Sequence, residues 1–93
     1  MNGRTPVGEL PNLGPASARM LSGVGIRCLD DLRKAGPIGA WLACRDAGLN
    51  ASLNLVYAIE GALTGCPWNH LPEDRRQDLK SRVEALKPGR RGR

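Results

Sequence analysis

The stretch Ser52 to Leu63 limits what this chain can fold into more than any other. It reads Ser-Leu-Asn-Leu-Val-Tyr-Ala-Ile-Glu-Gly-Ala-Leu. At the helical repeat, Leu53, Val56, Tyr57 and Leu63 form one apolar face, and Leu55, Ile59 and Ala62 form another. A helix apolar on nearly every side is a buried helix. It is too short to cross a bilayer, so the rest of the chain must surround it. Asn50 or Ser52 can cap its first N–H groups, and Gly65 and Pro67 are placed to end it. The other helices are expected to wrap around it.

The flanking segments are helical in pattern too. Residues 1–8 carry Gly3, Pro6 and Gly8 without periodicity and read as a loose, flexible N-terminal arm. Glu9 to Gly14 reads as a tight turn into a helix, with Pro15 at the first helical position, where its missing N–H costs nothing. That helix runs to about Ser22 and breaks at Gly23-Val24-Gly25-Ile26. A second helix, Leu29 to about Ala35, starts with Asp30 and Asp31 and ends with Arg33 and Lys34, each at the end its dipole favours. Gly36 stops it. Pro37 opens a third, with Ile38, Trp41 and Leu42 inward, ending at Gly48. After the central helix, Cys66 to Leu71 reads as a connector whose Trp68 packs back on the core. Pro72 opens the last helix, which reaches about Leu86 with a stripe of Leu79, Val83 and Leu86. No strand pattern appears. The expectation is an all-α domain of five helices over residues 9–86, followed by a basic, disordered tail over 87–93.

Composition narrows the class. With 93 residues the chain makes one small domain. Its three cysteines, Cys28, Cys44 and Cys66, have no metal-ligand or disulfide spacing and read as reduced thiols. No membrane span or signal peptide is apparent, so a cytoplasmic location is expected. The net charge of +5 is unevenly placed. Lys87, Arg90, Arg91 and Arg93 lie in the tail, and without them ten basic residues face nine acidic. Arg90 and Arg91 are therefore candidates for non-specific contact with phosphates, against the plainer reading of a solubilising end.

Two pieces resemble known families. Leu10-Pro11-Asn12-Leu13-Gly14-Pro15-Ala16-Ser17-Ala18 resembles the hairpin of helix-hairpin-helix proteins, L-P-G-x-G-P-x-x-A, with Asn12 in place of the first glycine and Ala16 where a lysine is common. In that family the hairpin brings backbone N–H groups to a DNA phosphate at a helix start. The resemblance makes Asn12, Leu13 and Gly14 candidate nucleic-acid contacts, with Arg19 on the exposed side of the following helix. More broadly, Leu10 to Pro15, then Gly25-Ile26-Arg27-Cys28-Leu29-Asp30-Asp31-Leu32, Gly36, Ser52 to Gly65, Trp68 and Leu71 resemble the C-terminal domain of the TfoX (Sxy) competence regulators over roughly residues 9–86. Cys28 stands where that family commonly has a capping threonine. The resemblance implies an all-helical fold of the helix-hairpin-helix/SAM-like kind. It also implies a role in DNA transformation and competence-gene transcription.

Other residues carry less. Glu60, the one charge within the central helix, is either a functional carboxylate or a structural acid bound to a helix start, to Trp68 or to an arginine. The absence of a second acid or nucleophile beside it favours the structural reading. His70 reads as a loop residue near a helix start, because Pro67 breaks any face shared with Cys66. Arg75, Arg76, Lys80 and Arg82 alternate with Glu73, Asp74, Asp78 and Glu84, so a salt-bridged face is expected, including an Asp78–Arg82 pair. Trp41, Tyr57 and Trp68 are too few and too spread for base stacking and are assigned to the core.

No catalytic constellation, metal site or cofactor motif is present, and an enzyme is not expected. The expected partners are double-stranded DNA or a transcriptional regulator. The alternative is a protein–protein interaction domain without nucleic-acid contact, including the case of a homodimer joined through the last helix's stripe.

Overall fold

In a computed structural model, residues 3–49 and 51–86 are described, with Trp68 described by its backbone alone. The described residues form four α-helices: α1 Pro15–Gly23, α2 Leu29–Asp46, α3 Leu53–Thr64 and α4 Glu73–Leu86. Short 3-10 turns precede α1 at Val7–Glu9 and α4 at Trp68–His70. The only strand-like pairing among them is an isolated antiparallel bridge between Pro6 and Cys28.

The centre is α3, as its composition requires. Leu55, Val56, Tyr57, Ile59, Glu60, Gly61 and Ala62 are all buried. Its two apolar faces serve two cores. Leu55, Ile59 and Ala62 join Val7, Leu10, Leu13, Leu21, Ile26, Leu29, Leu32, Ala40 and Cys44 in an aliphatic cluster. Val56 and Tyr57 join Trp41, Leu71, Leu79 and Val83 in a second one, which contains the Trp41 and Tyr57 rings. Leu53 packs on the second cluster and Leu63 on the first, so these two do not share a face as the periodicity suggests. The Trp41 indole donates to the Ala51 carbonyl at 3.2 Å. Burial pushes the Cys44 thiol pKa up. All three cysteines are free thiols.

Three helices end in the same way. After α1, Gly25 takes φ 87° and the Ile26 N–H returns to the Leu21 carbonyl at 2.9 Å. After α2, the Leu49 N–H returns to Cys44, and after α3 the Cys66 N–H returns to Gly61, each at 3.0 Å. A glycine in the left-handed region makes this reversal without a Cβ clash, and the returning N–H satisfies a carbonyl the helix leaves open. The buried pair Leu21 and Ile26 adds the apolar contact that accompanies it.

One expectation is sharpened here and one is corrected. The second and third helices of the sequence reading run end to end and are counted together as α2, with the break between them at Gly36, where the sequence placed it. Gly36 alone leaves helical geometry, at φ 73° and ψ 169°. Pro37 resumes the helix at once because its position needs no N–H. The break is a kink within α2, with no linker. The segment read as a loose arm is also tied down over residues 3–8. The Gly3 and Thr5 carbonyls accept from the Asp30 and Leu29 N–H groups, both at 2.9 Å, and the Val7 N–H donates to Arg27 at 3.0 Å. Val7 is 2% exposed. Backbone carbonyls thus satisfy donors at the start of α2, where Cys28 makes no side-chain cap bond. Asp31 completes the cap by accepting the Arg27 N–H at 3.1 Å, and that bond holds its carboxyl below the usual carboxylate range.

Candidate functional site

The hairpin before α1 is pinned from both ends. Leu10 and Leu13 insert into the aliphatic cluster, and the Leu13 N–H turns back toward the Leu10 carbonyl at 3.4 Å. Leu13 is 6% exposed, so its side chain belongs to the core. Between them Asn12 adopts φ 71°. Asparagine tolerates this left-handed geometry better than other non-glycine residues, which explains how it stands in a glycine position. Its amide Nδ2 donates to the Cys66 carbonyl at 2.9 Å, fixing the hairpin to the end of α3.

Gly14 follows as the N-cap of α1, at φ −85° and ψ −179°. It is exposed, and a Cβ built there meets nothing within 4 Å. Neither its backbone geometry nor its packing demands glycine. The first intrahelical bond runs from the Ala18 N–H to the Gly14 carbonyl at 2.9 Å. The N–H groups of Ala16 and Ser17 precede it and have no partner within the helix.

The start of α3 lies beside this helix start. A cleft of about 370 Å³ runs between them, with Asn12, Ser17, Ser52 and Asn54 supplying polar groups and Met20 and Leu55 apolar ones. Neither Gly14 nor Ser52 makes a side-chain cap bond, and neither helix has an acid in its first turn. By contrast, α2 opens with Asp30 and Asp31, and α4 with Glu73 and Asp74. Among the described residues, neither helix start at this cleft has a side-chain cap bond or a first-turn acid to offset its dipole. The sequence reading missed Ser52 and Asn54 as neighbours of this turn, because only the tertiary fold brings them to the same cleft. Ser52 was expected as a cap, and the structure gives it no such bond. Asn50, the other expected cap, lies outside the described residues.

Arg19 is exposed but lines a neighbouring cleft of about 440 Å³, with Ala16, Met20, Gly23, Ala47 and Leu49. Ala16 and Met20 line both clefts, so Arg19 stands at the border of the hairpin site. Arg90 and Arg91 lie outside the described residues.

The charged groups of α4 have other duties. Glu60 accepts two bonds from Arg75, Nε to Oε2 at 2.8 Å and Nη2 to Oε1 at 3.2 Å, which is the structural-acid reading with an arginine partner. Arg75 also pairs with Asp78 at 3.0 Å, and Arg82 meets the same carboxylate at 3.1 Å, the i, i+4 pair expected from sequence. Hydrogen bonding to Glu60 raises the Arg75 pKa further above its ordinary value. Arg76 lies over the Tyr57 ring at 5.2 Å. Leu79 and Val83 point into the core, which removes the last helix's stripe as a dimer surface; Leu86 alone remains outside, 40% exposed. His70 is exposed in its 3-10 turn. Trp68's side chain, expected on the core, is outside what is described. Among the described residues no three His, Cys, Asp or Glu side chains are grouped to hold a metal ion. No helix among them is long and apolar enough to cross a membrane.

The fold and this cleft define a small all-helical domain whose first helix is led in by a tight turn. The chain belongs to the TfoX C-terminal domain family, which it matches over residues 4–83. It is 31% identical over 87 residues to Protein Sxy of Escherichia coli (strain K12), an alignment covering 94% of this chain and 42% of that protein. The chain therefore spans less than half the length of that curated relative. Among solved structures it resembles an uncharacterized protein from Listeria monocytogenes in a triclinic crystal form. The TM-score is 0.83 at 28% identity, covering 90% of this chain and 96% of that one. A tetragonal form of a protein of unknown function from the same organism gives 0.81 at 30% identity, covering 87% and 99%.

Proposed function

We propose that this domain is a non-enzymatic binding module in the control of competence-gene transcription and DNA transformation, and that it touches double-stranded DNA through the hairpin before α1. The observation that carries the reading is the convergence of two helix starts, α1 and α3, without a capping side chain or first-turn acid at either. Backbone donors and positive dipole ends directed at one exposed cleft suit a phosphate oxygen. In this reading Asn12 sets the hairpin angle, Leu13 anchors it, and Gly14 leaves room for the backbone of the nucleic acid. Arg19 adds a charge at the border. The basic tail, with Arg90 and Arg91, raises affinity without selecting a sequence. The family supports the regulatory setting, and a cytoplasmic place of action follows from it.

The test is fluorescence anisotropy with duplex DNA over a salt series, comparing the full chain with one ending at Leu86. Retained binding by the shorter chain, with a log–log salt slope of about −0.9 for each phosphate held, supports the hairpin. Loss of all binding on truncation makes the tail a generic polycation and refutes a DNA role for the folded part.

A second reading is a protein-binding domain without nucleic-acid contact. It is favoured by the largely apolar cleft between Ala16, Met20 and Leu49. Capture of a transcriptional protein by the full chain, lost on Met20→Asp and unaffected by competing DNA, would select it.

A further inference from the structure

We infer that α4 is a strap: it opens as a unit from a body of α1, α2 and α3 that stays folded, and arginine contacts set how tightly it is held. The two cores differ in what closes them. The aliphatic cluster is shared among the N-terminal segment, α1, α2 and α3, and includes no residue of α4. The second cluster depends on α4 for Leu79 and Val83, the two residues by which that helix is buried. Three guanidinium groups add to this attachment. Arg75 of α4 reaches Glu60 of α3 at 2.8 Å. Arg76 of α4 covers the Tyr57 ring at 5.2 Å. Arg45 of α2 lies over Trp41 at 4.9 Å and donates to the carbonyl of Leu86, the last residue of α4.

Contacts of this kind are weak when water reaches them, and the Arg75 side chain is 40% exposed. The connector suits a hinge. Gly65 is left-handed at φ 73°, and Pro67 and Pro72 prevent α3 from propagating into α4. Opening uncovers Val56, Tyr57 and one side of Trp41, with the Glu60 carboxylate among them. The aliphatic cluster stays covered. Regions closed by few apolar contacts and many exposed polar ones form the low-stability units of a fold. Detached, a helix as short as α4 is marginal in water, so its amides then exchange.

The experiment is native-state hydrogen exchange by NMR on the full chain, at guanidinium concentrations below global unfolding, for wild type, Arg75→Gln and Arg76→Gln. The amides of residues 77–84 are expected to exchange about tenfold or more faster than those of Leu32, Cys44 and Ile59, with a shared and smaller denaturant dependence. Each substitution should widen that gap by accelerating α4 alone. One common opening free energy for α4 and the body in wild type overturns the inference, and so does equal acceleration of all helices by Arg75→Gln. Should either variant fail to fold, the wild-type gap decides.

Discussion

The start of α1 and the flank of α4 both carry groups that attract anions, and the fold treats them in opposite ways. On α4, Arg75 and Arg82 are engaged by Glu60 and Asp78, and Arg76 covers Tyr57. Its first turn carries Glu73 and Asp74. The positive charge there is consumed inside the molecule. At α1 there are no charged side chains in the first turn, yet the backbone donors are left open beside those of α3. A count of lysines and arginines would point to α4, whereas the proposed contact lies at α1. Net charge is thus a poor guide to an anion site when the cations already have partners.

The largest effect expected on this contrast comes from Leu79→Ala. It removes a fully buried side chain from the smaller core and should cost about 2–4 kcal/mol in urea unfolding. A change below about 0.5 kcal/mol would mean that α4 is held by its arginines alone. Next comes Glu60→Ala, which leaves Arg75 without its main partner. Because Arg75 is partly exposed, the loss should be about 1 kcal/mol, measured in the same way. Duplex binding should not fall in this variant, since a freed arginine on α4 is no part of the hairpin. A marked loss of binding would move the interface to α4.

The smallest effect concerns a helix start that is compensated. The Asp31 carboxyl lies below its ordinary value of about 3.8 because its charged form accepts the Arg27 N–H. A depressed acid contributes stability that is complete above the ordinary value and is lost as pH falls through the lower folded one. Wild type should therefore lose stability toward acid more steeply than Asp31→Asn, in thermal melts between about pH 5 and pH 2. Parallel profiles would show that the bond to Arg27 contributes nothing.

Much of this was legible locally. The two apolar faces of Ser52 to Leu63 announced a buried helix, and Gly65 announced its end, because both depend on residues a few positions apart. Leu79 and Val83 were readable for the same reason. The tying of Gly3 and Thr5 to α2 was not, since it runs between backbone groups and leaves no side-chain pattern. The break at Gly36 was readable, because a glycine followed by Pro37 is a local signal, although its one-residue length was not. The site was half legible. The tight turn into α1 could be read from Glu9 to Pro15, and the acids that open α2 and α4 were plain. The Asn12 bond to Cys66 and the approach of Ser52 and Asn54 required the tertiary fold, as did the choice of Arg75 as the partner of Glu60.

The central claim is that the open start of α1 holds a phosphate, and Gly14→Asp tests it most directly. Aspartate at this N-cap can accept the free N–H groups and oppose the dipole, so the variant should be about 0.5 kcal/mol more stable than wild type. The same carboxylate occupies the donors and repels an anion. Affinity for duplex DNA at low salt, measured by anisotropy on the chain ending at Leu86, should fall about tenfold or more, with a shallower salt slope. A more stable domain that has lost binding is the predicted result. A more stable domain that binds DNA as well as wild type would contradict the account.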